Sequence, residues 1–286
     1  MTKIKFIVLI IFTALISSCS SSDDSGENQS GNTYFKFTYD NKIQKVKTWE
    51  AIKLGDLIEV TGQSEDGGVG IDFKFNIYGN LYEAFTYGTA MTGTIPFLEA
   101  SENFTSNTFT FTLENLNTTE KTVQVKFSGK VFDDPYDHES EYINVSGSFK
   151  VSYIEEASSS LEGYGTFAKI DGKDWHGFSM SSTVENQETK ILYAENDGEY
   201  TIGIAFPKYG AKAGTFTFTN NNFANRITFQ KYDLATHEYI DYDVSGTIIY
   251  TTINDSYAAG TFSLTATHPV TKAKIVISNG TFKEGL

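Results

Sequence analysis

From Thr33 onward the chain alternates apolar and polar residues with a period of two. Phe35, Phe37 and Tyr39 are separated by polar residues, as are Phe73, Phe75 and Ile77, then Phe109, Phe111 and Leu113, then Val123, Val125 and Phe127. The period returns at Ile143 and Val145, at Phe149, Val151 and Tyr153, and at Phe262 and Leu264. Alternation of this kind turns one face of an extended segment to a core and the other to water. Asp40-Asn41, Asp66-Gly67-Gly68, Asp171-Gly172, Asn220-Asn221-Asn222 and Asn279-Gly280 punctuate the runs with turn-forming residues. No long stretch after residue 33 has the i, i+3, i+4 apolar spacing of a helix. The expectation is an all-β protein of many short antiparallel strands. Sandwich and barrel share this pattern, and the short connections favour a meander.

The runs fall into two similar sets. Asp40-Asn41-Lys42, Gly93-Thr94-Ile95-Pro96-Phe97, Ser128-Gly129-Lys130-Val131 and Gly147-Ser148-Phe149 recur in order as Asp171-Gly172-Lys173, Gly214-Thr215-Phe216-Thr217-Phe218, Ser245-Gly246-Thr247-Ile248 and Gly260-Thr261-Phe262. Four matches in one order suggest duplication of a β module. The polar, serine-rich stretch around 155–163 is the natural boundary. The expected layout is a β domain over 33–156, a linker at 157–163 and a second β domain over 164–286. Gly129, Gly147, Gly246 and Gly260 interrupt alternating runs, where glycine marks a bulge or a close backbone approach.

Residues 1–18 have a different character. Lys3 and Lys5 precede an apolar run over 6–16, and Ser17, Ser18 and Cys19 follow. That order is a secretory signal peptide, and eleven apolar residues are too few to span ~30 Å of hydrocarbon. Ile16-Ser17-Ser18-Cys19 resembles the lipobox of bacterial lipoproteins, which implies cleavage between Ser18 and Cys19 and acylation of the Cys19 thiol. Cys19 is the only cysteine, so no disulfide can form within the chain. Two or three acyl chains, at roughly 0.8 kcal/mol per buried CH₂, make a stable anchor. The stretch 19–32 is rich in Ser, Asp, Gly and Asn and reads as a flexible tether. Asp23-Asp24 behind the serine run resembles the export signal of Bacteroidota-type surface lipoproteins, which implies a lipid-anchored protein at the outer membrane, facing outward.

The second half resembles a domain of unknown function found in Bacteroidota lipoproteins. The resemblance rests on Phe167-Ala168-Lys169-Ile170-Asp171-Gly172-Lys173-Asp174-Trp175, on the strands at Gly214, Ser245 and Gly260, and on the closing Lys274-Ile275-Val276-Ile277-Ser278-Asn279-Gly280-Thr281-Phe282. It implies an all-β lipoprotein module with no assigned chemistry. The first half departs from it, with Gln44 in register with Trp175 and no matching closing strand.

Without residues 1–18 the chain holds 20 basic and 36 acidic side chains, a net charge of −16. That charge disfavours nucleic acid as a partner. No HExxH, Gly-rich phosphate loop or GxGxxG fingerprint occurs, so no catalytic residue and no cofactor is assigned. The stretch 133–141 packs five acids and His138 into one loop. The plain reading is a solvated turn. Asp133, Asp134, Asp137 and Glu139 are also candidate Ca²⁺ ligands, without EF-hand spacing, and a carboxylate pair there would suit a glycoside hydrolase. Trp175 reads as a core anchor ahead of a sugar-stacking platform. Tyr78, Tyr82, Phe85 and Tyr87, in a less regular stretch over 78–93, are the candidate ligand-binding residues, since a long loop is where exposed rings are expected.

The leading expectation is a non-enzymatic envelope module that binds an extracellular glycan or an envelope protein. A structural accessory subunit and a hydrolase are the alternatives. The anchor is directly testable. Cys19→Ala leaves the protein either soluble or unprocessed in membrane fractionation, and a mature variant that still pellets with membrane contradicts lipidation.

Overall fold

The computed structural model describes residues 33–65, 68–88, 95–156, 163–196 and 198–286. Ser18, Cys19, the tether, the Asp66-Gly67 turn, Gly93-Thr94 and most of the linker lie outside them. The first ten strands are β1 (Tyr34–Tyr39), β2 (Lys42–Leu54), β3 (Leu57–Ser64), β4 (Val69–Asn76), β5 (Leu81–Gly88), β6 (Leu98–Glu99), β7 (Phe109–Asn117), β8 (Thr122–Phe132), β9 (Tyr142–Ser152) and β10 (Ile154–Glu156). Asp40 and Asn41 both take positive φ, 49° and 59°, which is the turn a two-residue hairpin needs. β1 then pairs with β2 on one side and β9 on the other. That double pairing closes β1-β9-β8-β6-β5-β4-β3-β2 into an eight-stranded antiparallel barrel. β7 flanks β8 outside the ring, and β10 runs parallel to β2.

The period of two fills this barrel with rings. Phe35 stacks on Phe149 with centroids 5.0 Å apart, and Phe73 meets Phe127 at 4.6 Å. Val60, Val123, Val125 and Val151 fill the spaces between them. Phe73, Phe75, Phe109, Phe127 and Phe149 are fully buried. A barrel interior filled in this way is a packed core, so the sites considered below lie outside it.

The second sheet comprises β11 (Gly165–Ile170), β12 (Lys173–Glu185), β13 (Thr189–Glu195), β14 (Tyr200–Pro207), β15 (Gly214–Thr219), β16 (Arg226–Asp233), β17 (Glu238–Asp241), β18 (Asp243–Ile253), β19 (Tyr257–Thr267) and β20 (Lys274–Gly285). Its order is β15-β18-β19-β20-β11-β12-β13-β14-β16-β17, an antiparallel sheet that curls like half a barrel and ends on β15 and β17. Trp175 is buried in its core, as the core-anchor reading expects, beside Ala168, its partner across β11 and β12. The two sheets share no strand, yet Asn32–Leu286 forms one compact unit. Among the described residues the helical content is one turn, Thr105–Asn107, and no helix is long and apolar enough to cross a membrane.

The repeat is real in its opening and shifted at its close. β1 and β11 each lead through a tight turn into a 13-residue strand, β2 or β12. Beside β1, Phe35 faces Phe149 and Phe37 faces Gly147. Beside β11, Thr166 faces Phe282, and Gly280 lies two residues before it. Counted from the opening hairpin, Gly147-Ser148-Phe149 therefore takes the place of Gly280-Thr281-Phe282, not that of Gly260-Thr261-Phe262. The first module has its closing strand after all, and it is β9. Short glycine motifs recur on neighbouring strands because each crossing needs the same clearance. A Cβ at Gly147 would collide with the Lys36 carbonyl, and one at Gly260 with the Ile249 carbonyl.

One further expectation is corrected. The stretch 78–93 is not one long loop, because 81–88 is strand β5. Its alternation is broken by a register shift opposite Lys74 and Phe75, so the inward residues are Leu81, Ala84 and Thr86. Ile154–Glu156 pairs with Ile52, Lys53 and Leu54, inside the first domain as bounded at residue 156. There Glu155 accepts a 2.9 Å bond from Lys53.

Candidate functional site

The end of β4 carries the side chain that joins the sheets. Asn76 is 2% exposed. Its Oδ1 accepts the backbone N–H groups of Tyr78 and Asn80, both at 3.0 Å, and so closes the turn that follows β4. With the oxygen committed to the turn, Nδ2 points outward. It donates to Tyr82 Oη and to His176 Nδ1, each at 2.8 Å. Tyr82 is the extra residue at the register shift of β5, and His176 stands on β12 of the other sheet.

Two partners from the barrel meet the same ring nitrogen. Nδ1 accepts from the Asn76 amide in one tautomer and donates to the Asn80 side-chain carbonyl, 3.3 Å away, in the other. Nε2 has no partner. Phe167 and Tyr78 pack against the imidazole at 4.3 and 4.5 Å between centroids. Burial lowers the His176 pKa to about 4, so the ring is neutral at physiological pH. Burial likewise pushes the Tyr82 hydroxyl up to about 12.

A cavity of about 200 Å³ opens beside this contact, lined from the first sheet by Leu57, Asn76 and Tyr82 and from the second by Tyr164, His176 and Phe178. Asp56 and Lys74 complete its lining. Asp56 also accepts the Gly163 N–H at 3.3 Å, and Lys74 pairs with Glu83 at 3.6 Å. Inside the second sheet, close enough to raise the Tyr82 pKa, lies Glu284. It is fully buried, accepting the Thr166 hydroxyl at 2.6 Å and the Ser179 N–H at 3.1 Å. Burial raises its pKa to about 7.

A second contact holds the sheets together elsewhere. Ser101 Oγ lies 2.5 Å from His138 Nε2. The His138 ring stands 5.8 Å from His237 and 6.2 Å from Tyr232 of the second sheet. Tyr239 donates to the Gly198 carbonyl at 2.8 Å, and a Cβ at Gly198 would strike the Phe104 backbone nitrogen. Next to this contact is a groove of about 370 Å³. Phe104 forms one wall, and Glu199, Lys231, Tyr232, Asp233, Leu234, Ile240, Tyr242 and His268 form the rest. Tyr242 is held edge-on by Phe229 at 5.6 Å and His268 at 5.3 Å.

The sequence-derived candidates are thus distributed. Tyr78 and Tyr82 belong to the junction. Phe85 and Tyr87 stand on the outer face of the barrel, where Phe85 packs on the exposed Phe97 at 5.1 Å. Tyr87 lies over Gly70, near Asp72, whose pKa burial raises to about 6. The acids of 133–141 serve their own loop. Asp134 Oδ1 accepts the Tyr136 N–H at 3.0 Å and Asp137 Oδ1 accepts that of Glu139 at 2.9 Å. Among the described residues, no three or more His, Cys, Asp or Glu side chains come together as a metal site, so Asp133, Asp134, Asp137 and Glu139 do not form one.

Asn76, His176 and Glu284 were not singled out from sequence. A signal for Glu284 was present, since the period of two places it on the same face as Phe282, with the core. His176 follows the inward Trp175 and so faces out of its own sheet, toward the other.

Residues 162–285 match the family model of a domain of unknown function, DUF6252. No curated protein and no solved structure matches the chain. The DUF6252 region spans all ten strands of the second sheet. It supplies His176, Glu284 and most of the groove, while Asn76 and Tyr82 come from the barrel that precedes it.

Glu284 makes a pH-dependent contribution with a definite sign. Its folded pKa, about 7, lies above its unfolded value of 4.5, so the folded state keeps a proton that the unfolded chain releases. This stability is complete below the unfolded value and is lost as pH rises through the folded one, by on the order of 3 kcal/mol. His176, with its lowered pKa, acts oppositely, so the comparison requires a variant. Glu284→Gln keeps the shape, and the Thr166 hydroxyl can turn to accept from its amide. Denaturant unfolding is expected to show the variant gaining stability over wild type as pH rises from about 4.5 to 7. A wild-type-to-variant difference that stays constant across that range contradicts a protonated Glu284.

Proposed function

We propose that this chain is a lipid-anchored cell-envelope protein, displayed outward at the outer membrane, that binds an extracellular glycan without transforming it. The observation that carries the reading is the groove bounded by Phe104, Tyr232 and Tyr242. Sugars are recognised by aromatic faces together with polar groups that exchange hydrogen bonds with hydroxyls, and by sites already shaped before binding. The groove sets the half-buried Tyr242, with the buried Tyr232 also in its lining, beside Asp233, Glu199, Lys231 and His268 in about 370 Å³. Its position between a DUF6252 region and a preceding barrel suits a ligand site, because such sites favour module boundaries.

Address and charge support the same reading. The resemblance of Ile16-Ser17-Ser18-Cys19 to a lipobox, with Asp23-Asp24 behind it, supports the anchor and the outward display. An acidic surface is compatible with neutral polysaccharide and repels anionic lipid headgroups. In the 133–141 loop, Asp134 and Asp137 spend carboxylate oxygens on backbone N–H groups of their own turns.

A polysaccharide array followed by calorimetry tests this reading. At least one glycan is expected to bind and to be recovered uncleaved. Tyr242→Ala and Asp233→Ala should each weaken binding roughly tenfold, about 1.4 kcal/mol. If no polysaccharide binds and crosslinking in cells recovers an envelope protein, the accessory-subunit role replaces this one. Release of shorter sugars, abolished by Asp134→Asn or Glu139→Gln, makes the chain a hydrolase.

A further inference from the structure

We propose that the open edge of β15 pairs antiparallel with the same strand of a second copy of this chain, so that two curled sheets become one continuous sheet. Three observations carry the inference, and none involves the glycan groove. The first is the absence of protection. A strand at the end of a sheet offers unpaired N–H and C=O groups to any other chain, and native proteins blunt such edges with charge, brevity, proline or a bulge. Among the described strands, β7, β10, β15 and β17 each pair on one side only. β7 carries Glu114 at a register shift between Leu113 and Asn115. β10 is three residues long, and two of them are Glu155 and Glu156. β17 is four residues long and begins and ends on the exposed acids Glu238 and Asp241. By contrast, β15 reads Gly-Thr-Phe-Thr-Phe-Thr, with no charge and no proline, and it meets β18 without a register shift.

The second is the direction of the free groups. Thr219 donates its N–H to Asn222 Oδ1 at 2.8 Å, and its carbonyl accepts the Asn222 N–H at 3.1 Å. Its backbone therefore faces away from β18. Successive residues of an antiparallel ladder face opposite sides, so Thr215 and Thr217 turn their N–H and C=O groups the same way, past the edge. Asn222 closes the edge at Thr219 and leaves the groups of Thr215 and Thr217 open. Setting Phe216 against Phe216 of the second copy places each Thr215 against the other chain's Thr217. Every one of the open groups then finds a backbone partner.

The third is charge. Beyond residue 18 the chain holds 20 basic and 36 acidic side chains, so two copies repel wherever acids meet. Here none do. Thr215 stands beside Ile249, Thr217 beside Thr247 and Thr219 beside Ser245 on the outward face. Ile249 is exposed, as are Tyr209 and Phe223 on the connections that enter and leave β15. Threonine pairs across strands are favourable. A strand without charge is compatible with itself, whereas a basic foreign strand would find no acid there to meet.

The full chain in its membrane tests this. Thr215→Cys combined with Thr217→Cys is expected to give a covalent dimer on a non-reducing gel after mild oxidation, because a disulfide needs Cα atoms about 4.4–6.8 Å apart. Ser263→Cys, exposed on the same face but two strands inward, should stay monomeric. The unaltered chain, with Cys19 its only cysteine, is the blank. In detergent the unaltered chain should sediment as two copies and Thr217→Lys as one. Both carry the same N-terminus, so the difference reports strand pairing. Circular dichroism reports whether each variant keeps its β signature. Tyr242→Ala should change neither result, so pairing and glycan binding stand or fall separately. The inference is overturned if the folded double-cysteine chain stays monomeric, if Ser263→Cys crosslinks as readily, or if Thr217→Lys still sediments as two copies. Crosslinking of β15 to a different protein in place of its own copy overturns it too.

Discussion

The carboxamide of Asn76 works for two sheets at once. Its oxygen closes the turn after β4 through two backbone donors, and its nitrogen also reaches the Asn80 side-chain carbonyl of that turn at 3.2 Å. It turns to Tyr82 and across to His176. Hydrogen bonds of this kind contribute about 1 kcal/mol net each, while a buried group stripped of its partner costs about 1–3 kcal/mol. At a junction this dry the second number matters more. Separating the sheets by a small distance would strip the buried His176 Nδ1 of its partners, while Asn76 and Tyr82 stay paired within the barrel. The interaction therefore acts more on geometry than on total stability: it selects one relation between barrel and curled sheet.

From that constraint the remaining features of the junction follow. His176 Nδ1 is met from the barrel side by Asn76 and Asn80, so its hydrogen bonding is a property of neither module alone. Tyr82 reaches the site only because a register shift inserts an extra residue in β5. Glu284, held by Thr166 and Ser179, lies within electrostatic range of Tyr82. A DUF6252 region without a preceding barrel would keep His176 and Glu284 but lack the groups that define their chemistry.

Much of the fold was legible in the sequence, for a simple reason. A period of two is a local property, and each of Phe35, Phe37, Phe73, Phe75, Val123 and Val125 reports its own face. The tight turns at Asp40-Asn41 and Asp171-Gly172 were equally local. Pairing was not local. Gly147 and Gly260 sit in similar short motifs, and only the partner strand reveals that Gly147 corresponds to Gly280. The stretch after Tyr78 was misread because a bulge breaks alternation without abolishing the strand. The junction was least legible of all. Asn76 resembles any turn asparagine until His176, 100 residues on, is placed beside it. Tyr78 and Tyr82 were found for a different reason, as exposed rings in a loop: Tyr78 is 51% exposed even as it packs on Phe167 and His176, whereas Tyr82 lies in strand β5 and is half-buried.

The central claim is that barrel and curled sheet form one rigid body through Asn76 and His176. Residual dipolar couplings on the aligned protein test it most directly. If the account holds, couplings from residues 33–156 and from residues 163–286 fit a single alignment tensor, in the relative orientation of the structure. Two tensors of different magnitude or direction would mean that the sheets move independently, and the junction site would lose its basis.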